Sequence, residues 1–139
     1  MCGSISKWQK DLVRWQRWKC RDAQHLAGEF VSKFYFDRPG LPSIALTTDT
    51  SILTAIGNDY GYDRLFARQV QAQGNEGDVF IGISTSGNSK NLVEALPECH
   101  RKGIYTIALT GSKPCKMDDF DLVIKVPVTQ PPVFRNVRL

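Results

Sequence analysis

The chain has 139 residues, of which 42% are hydrophobic and 23% charged, and this is typical of one globular domain with its own core. No apolar run approaches the about 20 residues of a membrane span, and no apolar stretch follows the start as a secretory signal would. Four cysteines are too few for a disulfide scaffold in a chain of this length, and they form no Cys-x-x-Cys pair, which disfavours a structural zinc site. We therefore expect a reduced, cytoplasmic enzyme or binding domain.

The positive charge is concentrated at the start of the chain. Residues 1–21 hold six basic residues and one acidic residue, whereas residues 22–139 hold 12 basic and 13 acidic residues. All three tryptophans lie in the same opening stretch. A basic segment interleaved with Trp can bind nucleic acid or an anionic membrane face. Nothing downstream supports either partner, so we expect no nucleic acid and no membrane.

The first part of the chain predicts a helix, a short strand and a second helix. The helix is expected over residues 22–36, with Asp22 as its cap and apolar residues at helical spacing. A strand is expected at residues 44–46. Asp49 and Thr50 then predict the cap of a short helix that runs to Ile56, and residues 57–62 read as a turn-rich loop.

The remainder alternates helices with buried strands. Helices are expected at residues 63–73, closed by Gly74, and at residues 90–102. Near-continuous apolar runs predict buried strands, and these lie at residues 79–83, 105–109 and 122–126. Such alternation indicates an α/β domain, with a parallel sheet that carries helices on both faces.

The loop at residues 84–89 is the first candidate site. It follows a buried strand and precedes a helix, and ligands of open α/β sheets bind beyond the carboxyl ends of strands. It offers a glycine, the N–H groups of a helix start and four hydroxyls, those of Ser84, Thr85, Ser86 and Ser89. These are the parts of a phosphate site, although a Ser-rich turn that caps the helix explains the same residues. No P-loop lysine pattern is present, which argues against nucleotide triphosphate hydrolysis.

Other candidate residues have equally simple structural explanations. His25 and Glu29 share one helix face, where they could transfer a proton or share a metal, but a plain surface pair has the same spacing. Asn58 and Asp59 could bind sugar hydroxyls or form a turn. His100 is most simply a charge at a helix end.

Several ordered motifs resemble one family. They are Asp22-Ala-Gln-His25-Leu-Ala-Gly-Glu29-Phe, Arg38-Pro-Gly-Leu-Pro, Leu46-Thr-Thr-Asp-Thr-Ser, Ala55-Ile-Gly-Asn-Asp-Tyr-Gly-Tyr and Gly82-Ile-Ser-Thr-Ser-Gly-Asn-Ser-Lys-Asn. Together they resemble the phosphoheptose isomerase branch of the sugar isomerase (SIS) family. The resemblance runs from Asp22 to about Gln130 and defines three expected segments, residues 1–21, 22–130 and 131–139.

The resemblance implies a flavodoxin-like αβα sandwich that assembles as a homotetramer with active sites between subunits. It implies conversion of sedoheptulose 7-phosphate into glycero-manno-heptose 7-phosphate, for heptose and lipopolysaccharide biosynthesis. Ser84, Thr85, Ser86 and Ser89 would hold the phosphate, and Asn58 and Asp59 would lie near the sugar. Glu29 would move the proton of an enediol-type shift. Some members bind zinc, and His25 and Glu29 match two of its ligands.

The chain departs from the family before Asp22 and after about Gln130. The family carries Gly-Asn-Gly-Gly-Ser-Ala-Ala, a turn that contacts substrate, where this chain has Trp15-Gln16-Arg17-Trp18-Lys19-Cys20-Arg21. This peptide can be encoded by a set of codons that, read one base later, gives the glycine-rich turn, so our hypothesis is that residues 1–21 are read out of frame. Residues 131–139 show a shorter match of the same kind, and family members continue into a helix with a glutamine and a catalytic histidine.

Arg and Trp side chains cannot occupy a turn where glycine lets the backbone meet a ligand. We therefore expect a fold that is incomplete at both ends, with weak stability, poor oligomer formation and little turnover. The alternatives are a non-catalytic SIS module that binds a phosphosugar or a replication-initiation partner, and a fragment without function.

Overall fold

The computed structural model describes residues 20–33 and 35–127. The chain divides into two compact units, one up to Ser51 and the other from Ile52 onward. Most of the aberrant opening segment and all of residues 131–139 lie outside the described residues, so the frame hypothesis stays a prediction. No helix within the described ranges is long and apolar enough to span a membrane.

The first unit contains helix α1, which covers residues 20–31 of the described chain. It ends earlier than predicted because the Arg38 side chain donates hydrogen bonds to carbonyls of its last turn. Arg38 donates to the Glu29 carbonyl at 3.2 Å and to the Phe30 carbonyl at 3.1 Å. The prediction that Asp22 caps this helix is also wrong, since Asp22 lies inside it.

The predicted strand at residues 44–46 does not form, although the structure describes these residues. The Thr48 hydroxyl donates to the Ala45 carbonyl at 2.9 Å, so the backbone turns where a strand would continue. Helix α2, Thr50–Asp59, follows. It runs past the predicted end at Ile56, because Tyr60 still donates to the Ile56 carbonyl at 2.9 Å. Gly61 then leaves the helical region with φ of 82°.

The second unit alternates helices and strands as the sequence predicts. Its elements are a 3-10 turn at Tyr62–Arg64, α3 at Leu65–Gln73, β1 at Val79–Ser84, α4 at Lys90–Val93, α5 at Leu96–Arg101, β2 at Tyr105–Gly111, a 3-10 turn at Lys116–Asp119 and β3 at Leu122–Val126. In the described chain the strands form one parallel sheet in the order β1-β2-β3. Val79 pairs with Tyr105, and Ile107 pairs with Leu122. The expected parallel α/β arrangement is confirmed.

The single helix predicted at residues 90–102 is two short helices. Pro97 lies in the first turn of α5, where its missing N–H is tolerated, whereas a continuous helix would need that N–H for a hydrogen bond. Helix α3 does end at Gly74 as predicted. A Cβ there would lie 2.6 Å from the Ile104 side chain, so glycine is needed for close packing.

One face of the sheet packs into the core of the second unit. Helix α3 contacts α4 and α5, and α5 contacts β2. The inward side chains alternate along the strands and are buried, as at Phe80, Ala108 and Thr106. The outward residues of β1 and β2, such as Ile81 and Leu109, are half-buried. The alternation follows from the pleat of a strand, and it fixes which residue at the end of β1 points inward.

Candidate functional site

The candidate site is built where β1 ends. We call residues 84–89 the hydroxyl loop. The chain turns tightly, with the Gly87 N–H donating to the Ser84 carbonyl at 3.0 Å and Gly87 at φ of 63°. A Cβ at Gly87 would collide with the Cys115 side chain. Glycine is therefore required both by the backbone conformation and by the space available.

Three hydroxyls of the loop lie together. Ser84 Oγ is 2.8 Å from Ser89 Oγ and 3.4 Å from Ser86 Oγ. Their exposure differs, since Ser84 is fully buried, Ser89 is half-buried and Ser86 is exposed. Ser86 and Ser89 can therefore donate to a bound oxyanion, whereas Ser84 lies beneath them and orients their hydroxyls.

Two carbonyl oxygens of the loop are hydrogen-bonded to the end of β2 and to the chain that follows it. The Thr85 carbonyl accepts from the Gly111 N–H at 3.2 Å, and the Gly87 carbonyl accepts from the Met117 N–H at 3.0 Å. Carbonyl oxygens carry negative partial charge and repel an anion. Because these two accept from N–H groups, their negative partial charge is partly compensated, which favours an anion beside the loop.

Lys90 is the cation nearest to the loop in sequence, and it is already paired. Its Nζ lies 2.6 Å from Asp63 Oδ2, and both side chains are substantially exposed. The hydrogen bond to Asp63 raises the pKa of Lys90. An incoming phosphate would therefore compete with Asp63 for this charge.

Asn58 and Asp59 lie in the last turn of α2, whereas the sequence predicts a loop for them. Asn58 Nδ2 donates to Asp59 Oδ1 at 2.8 Å, and both residues are exposed. This hydrogen bond holds an amide and a carboxylate side by side on the surface. Their role as sugar contacts stays a prediction.

In the first unit, His25 and Glu29 share one face of α1 as predicted. His25 Nε2 lies 3.9 Å from Glu29 Oε1, and the side chains are 73% and 32% exposed. Within the described residues no group of three or more His, Cys, Asp or Glu side chains could hold a metal ion. A protein zinc site ordinarily uses three or four side chains. The described residues thus provide two of the expected ligands and do not complete a zinc site.

The remaining candidates fit structural roles. His100 is exposed in the last turn of α5, as its sequence position predicts. Cys99 is fully buried, and burial raises its pKa to about 11. Sequence reasoning missed Asn88, whose side chain links the hydroxyl loop to the chain after β2. Its neighbourhood depends on contacts across 28 positions, so no local signal identifies it.

Comparison with known proteins adds independent evidence. The SIS domain profile matches residues 21–111. The phosphoheptose isomerase of Aneurinibacillus thermoaerophilus is 68% identical over 112 residues, which cover 80% of this chain and 57% of that protein. Phosphoheptose isomerase 2 of Campylobacter jejuni is 64% identical over 131 residues, which cover 94% of this chain and 65% of the relative.

A solved structure agrees with the fold. The phosphoheptose isomerase from Francisella tularensis superposes with a TM-score of 0.74 at 38% identity, over 81% of this chain and 61% of the other. The chain thus spans between about half and two thirds of the length of these proteins. The profile match and the identities agree with the motifs of the hydroxyl loop, and the chain belongs to the SIS domain family, in its phosphoheptose isomerase branch.

Proposed function

We propose that this chain is a phosphosugar isomerase that converts sedoheptulose 7-phosphate into D-glycero-D-manno-heptose 7-phosphate. The observation that carries the proposal is the cluster of hydroxyls at the carboxyl end of β1, in a chain whose relatives are named phosphoheptose isomerase. Ligands of open α/β sheets bind at this edge. The chain spans 57% and 65% of the length of two of those relatives, so its isomerase activity is a proposal.

The phosphate would bind to the hydroxyl loop. Ser86 and Ser89 would donate hydrogen bonds to its oxygens, and charge-assisted bonds of this kind are shorter and stronger than neutral ones. Ser84 would hold both hydroxyls in place from below. Thr85 is half-buried and would contribute from the same turn.

The chemical step would need a carboxylate next to the reacting carbons, and Glu29 is the residue that the family motif matches. In an enediol mechanism the base removes a proton from the hydroxymethyl carbon beside the ketone. It then returns a proton to the former carbonyl carbon, while a proton passes from the oxygen of the first carbon to the former carbonyl oxygen, and the product is an aldose. Asn58 and Asp59 would hold sugar hydroxyls during the transfer.

The proposal includes a zinc ion, for which the described residues supply two ligands. His25 and Glu29 would be two of the ligands, and a bound zinc ion would supply Lewis-acid polarisation of an oxygen. The described residues do not complete the coordination shell. No step of the proposed reaction therefore depends on the metal.

The proposal also covers assembly, cellular location and pathway. Four copies would assemble with active sites between subunits, in the cytoplasm. The product would feed heptose and lipopolysaccharide biosynthesis. The support for these statements is membership of the family.

A binding titration tests the phosphate site. We expect sedoheptulose 7-phosphate to bind the unmodified chain and to bind Ser86→Ala roughly tenfold more weakly, because one charge-assisted hydrogen bond is lost. Ser32→Ala removes an exposed serine outside the loop and should leave the affinity unchanged. Equal affinities for the chain and Ser86→Ala would remove the role of the loop. Tight binding without turnover would identify a non-catalytic phosphosugar module instead.

A further inference from the structure

The side chain of Asn88 uses both ends of its carboxamide. Its Nδ2 donates to the Ser86 carbonyl at 2.9 Å, and its Oδ1 accepts from the Lys116 N–H at 3.0 Å. Its own N–H also donates to Ser86 Oγ at 3.3 Å. Ser86 is thus held at its carbonyl and at its hydroxyl by the same residue.

The Lys116 N–H belongs to a segment that has contacts of its own besides the bridge from Asn88. We call residues 115–118 the anchor turn. Met117 in this turn is fully buried, and its N–H donates to the Gly87 carbonyl at 3.0 Å. Asp118 accepts from the Cys115 N–H at 3.0 Å and pairs with Lys125 at 2.9 Å. The anchor turn can therefore serve as a fixed support for the hydroxyl loop.

We propose that Asn88 is a positioning residue of the phosphate site, which it orients by bridging Ser86 to the anchor turn. The inference rests on the proposed function, because it concerns the same hydroxyl loop. Asn88 does not need to touch the phosphate. It fixes the peptide that carries the exposed hydroxyl, so that less freedom is lost when an anion binds.

The chemistry of the bridge explains why the residue is asparagine. The bridge needs one donor for the Ser86 carbonyl and one acceptor for the Lys116 N–H, and a carboxamide supplies both. A carboxylate has acceptors alone, so an aspartate would repel the Ser86 carbonyl. It would also add a negative charge beside a site for an anion.

The hydrogen bond from the Lys116 N–H to Asn88 Oδ1 can be removed by changing Lys116 to proline, which has no N–H. Lys116 is the first residue of a 3-10 turn, where the fixed φ of proline is tolerated. Cys115 before it is extended, with φ of −155° and ψ of 168°, which is the conformation that a following proline favours. Lys116→Pro therefore deletes the N–H with little change of backbone, and Lys116→Ala is the matched control that keeps it.

We expect Lys116→Pro to weaken sedoheptulose 7-phosphate binding roughly fivefold relative to Lys116→Ala, the factor expected for one ordinary hydrogen bond. Affinity for the sugar without its phosphate should not differ between the two variants, and the urea midpoint should fall only by the small amount that one exposed hydrogen bond contributes. Equal phosphate affinities would overturn the proposal. A fall in the urea midpoint that accounts for the whole loss of affinity would also overturn it, since the bridge would then be merely structural.

Asn88→Ala closes a double-mutant cycle and tests the same bridge from the loop side. Once Asn88 is alanine, Lys116→Pro should cause no further loss of phosphate affinity, whereas additive losses would contradict a shared bridge. Hydrogen exchange of the Gly87 and Met117 amides, measured without ligand, should accelerate in Lys116→Pro and not in Lys116→Ala. If the unmodified chain fails to bind the sugar phosphate, the proposed function itself is wrong. If it binds and the two Lys116 variants have equal affinities, only the positioning role of Asn88 is wrong.

Discussion

Cys99 shows how the environment of one residue decides its reactivity. It is fully buried, and burial followed by the charge of Glu98 raises its pKa to about 11. The thiolate is the reactive form, so at neutral pH this thiol is both shielded and protonated. Cys20 and Cys115 are half-buried.

We therefore expect a thiol reagent at pH 7.5 to modify Cys115 well before Cys99 in the folded chain, and both alike in urea. Peptide mapping by mass spectrometry distinguishes the sites within one sample, so Cys115 serves as the internal control. Rapid labelling of Cys99 in the folded chain would show that the core around α5 opens easily.

At the residue scale, the sequence predicted which residues form the hydroxyl loop but not what each does there. Four hydroxyls after an apolar strand are a local pattern, and a local pattern can be read directly. The bridge made by Asn88 depends on the anchor turn, which is 28 residues away along the chain. Such contacts are set by tertiary packing, for which the sequence has no periodic signal.

At the scale of elements, Gly87 holds the hydroxyl loop against the anchor turn. Gly87 and Gly77 both have positive φ, of 63° and 86°, so alanine is strained at either position. They differ in the space around a Cβ. At Gly77 nothing lies within 4 Å, whereas at Gly87 the Cys115 side chain is in the way.

Comparing Gly87→Ala with Gly77→Ala therefore isolates the contact between the two segments. We expect Gly87→Ala to lower the free energy of unfolding by about 1–3 kcal/mol more than Gly77→Ala, the usual cost of overpacking. It alone should weaken phosphate binding. Urea denaturation measures the free energy of unfolding, and the titration measures the phosphate affinity. Equal values for the two variants would mean that the anchor turn moves to accommodate the added Cβ.

Asp121 joins β2 to the start of β3. Its Oδ2 accepts from the Thr106 N–H at 2.8 Å and from the Thr106 hydroxyl at 2.7 Å, and its own N–H donates back to that hydroxyl at 3.0 Å. The hydrogen bonds from the Thr106 side chain and then its backbone lower the pKa of Asp121. The ionised carboxylate is therefore favoured in the folded chain.

A lowered pKa stabilises the fold above the pKa of the unfolded chain, and this stability is lost as the pH falls through the folded value. We expect the free energy of unfolding to decrease below about pH 4, and to decrease less steeply in Asp121→Asn. Urea titrations from pH 6 to pH 2.5 measure the slopes. Asp119→Asn, at an exposed position nearby, is the control. Identical slopes for Asp121→Asn and the parent chain would remove Asp121 as a source of acid sensitivity.

The predicted helices and strands were right where a local sequence pattern determines the element. They were wrong where contacts with residues elsewhere in the chain determine it. The apolar runs of β1 and β3 gave their positions closely, because a buried parallel strand is hydrophobic throughout. The end of α1 depends on Arg38, which reaches back to carbonyls in the preceding turns. Residues 44–46 have strand-forming side chains, yet a strand also requires a partner with which to pair its backbone.

At the scale of the whole molecule, the family motifs do not extend into the opening segment. The SIS profile begins at residue 21, and the family resemblance begins at Asp22. Before that point the chain has Trp15 to Arg21 where the family has a glycine-rich turn. Helix α1 already includes Cys20 and Arg21, so the described fold is compatible with the family helix from residue 20 onward.

This disagreement gives the last prediction, which concerns turnover. We expect the chain to convert sedoheptulose 7-phosphate slowly, and a variant with Gly-Asn-Gly-Gly-Ser-Ala-Ala at residues 15–21 to convert it faster. Glycine allows the backbone to approach a ligand, and the Trp and Arg side chains block that approach. The control carries Cys20→Ala and Arg21→Ala alone, and should remain slow because the bulky residues before them are unchanged.

Sequencing the coding DNA provides the second measurement for this prediction. The codons of residues 15–21 should contain the glycine-rich reading one base later, followed by a compensating base change near Arg21. Codons without that reading would refute the frame hypothesis, even if the variant is faster. Ordinary turnover by the unmodified chain would refute the expected slow turnover, because the glycine-rich turn would then be dispensable for the proposed reaction.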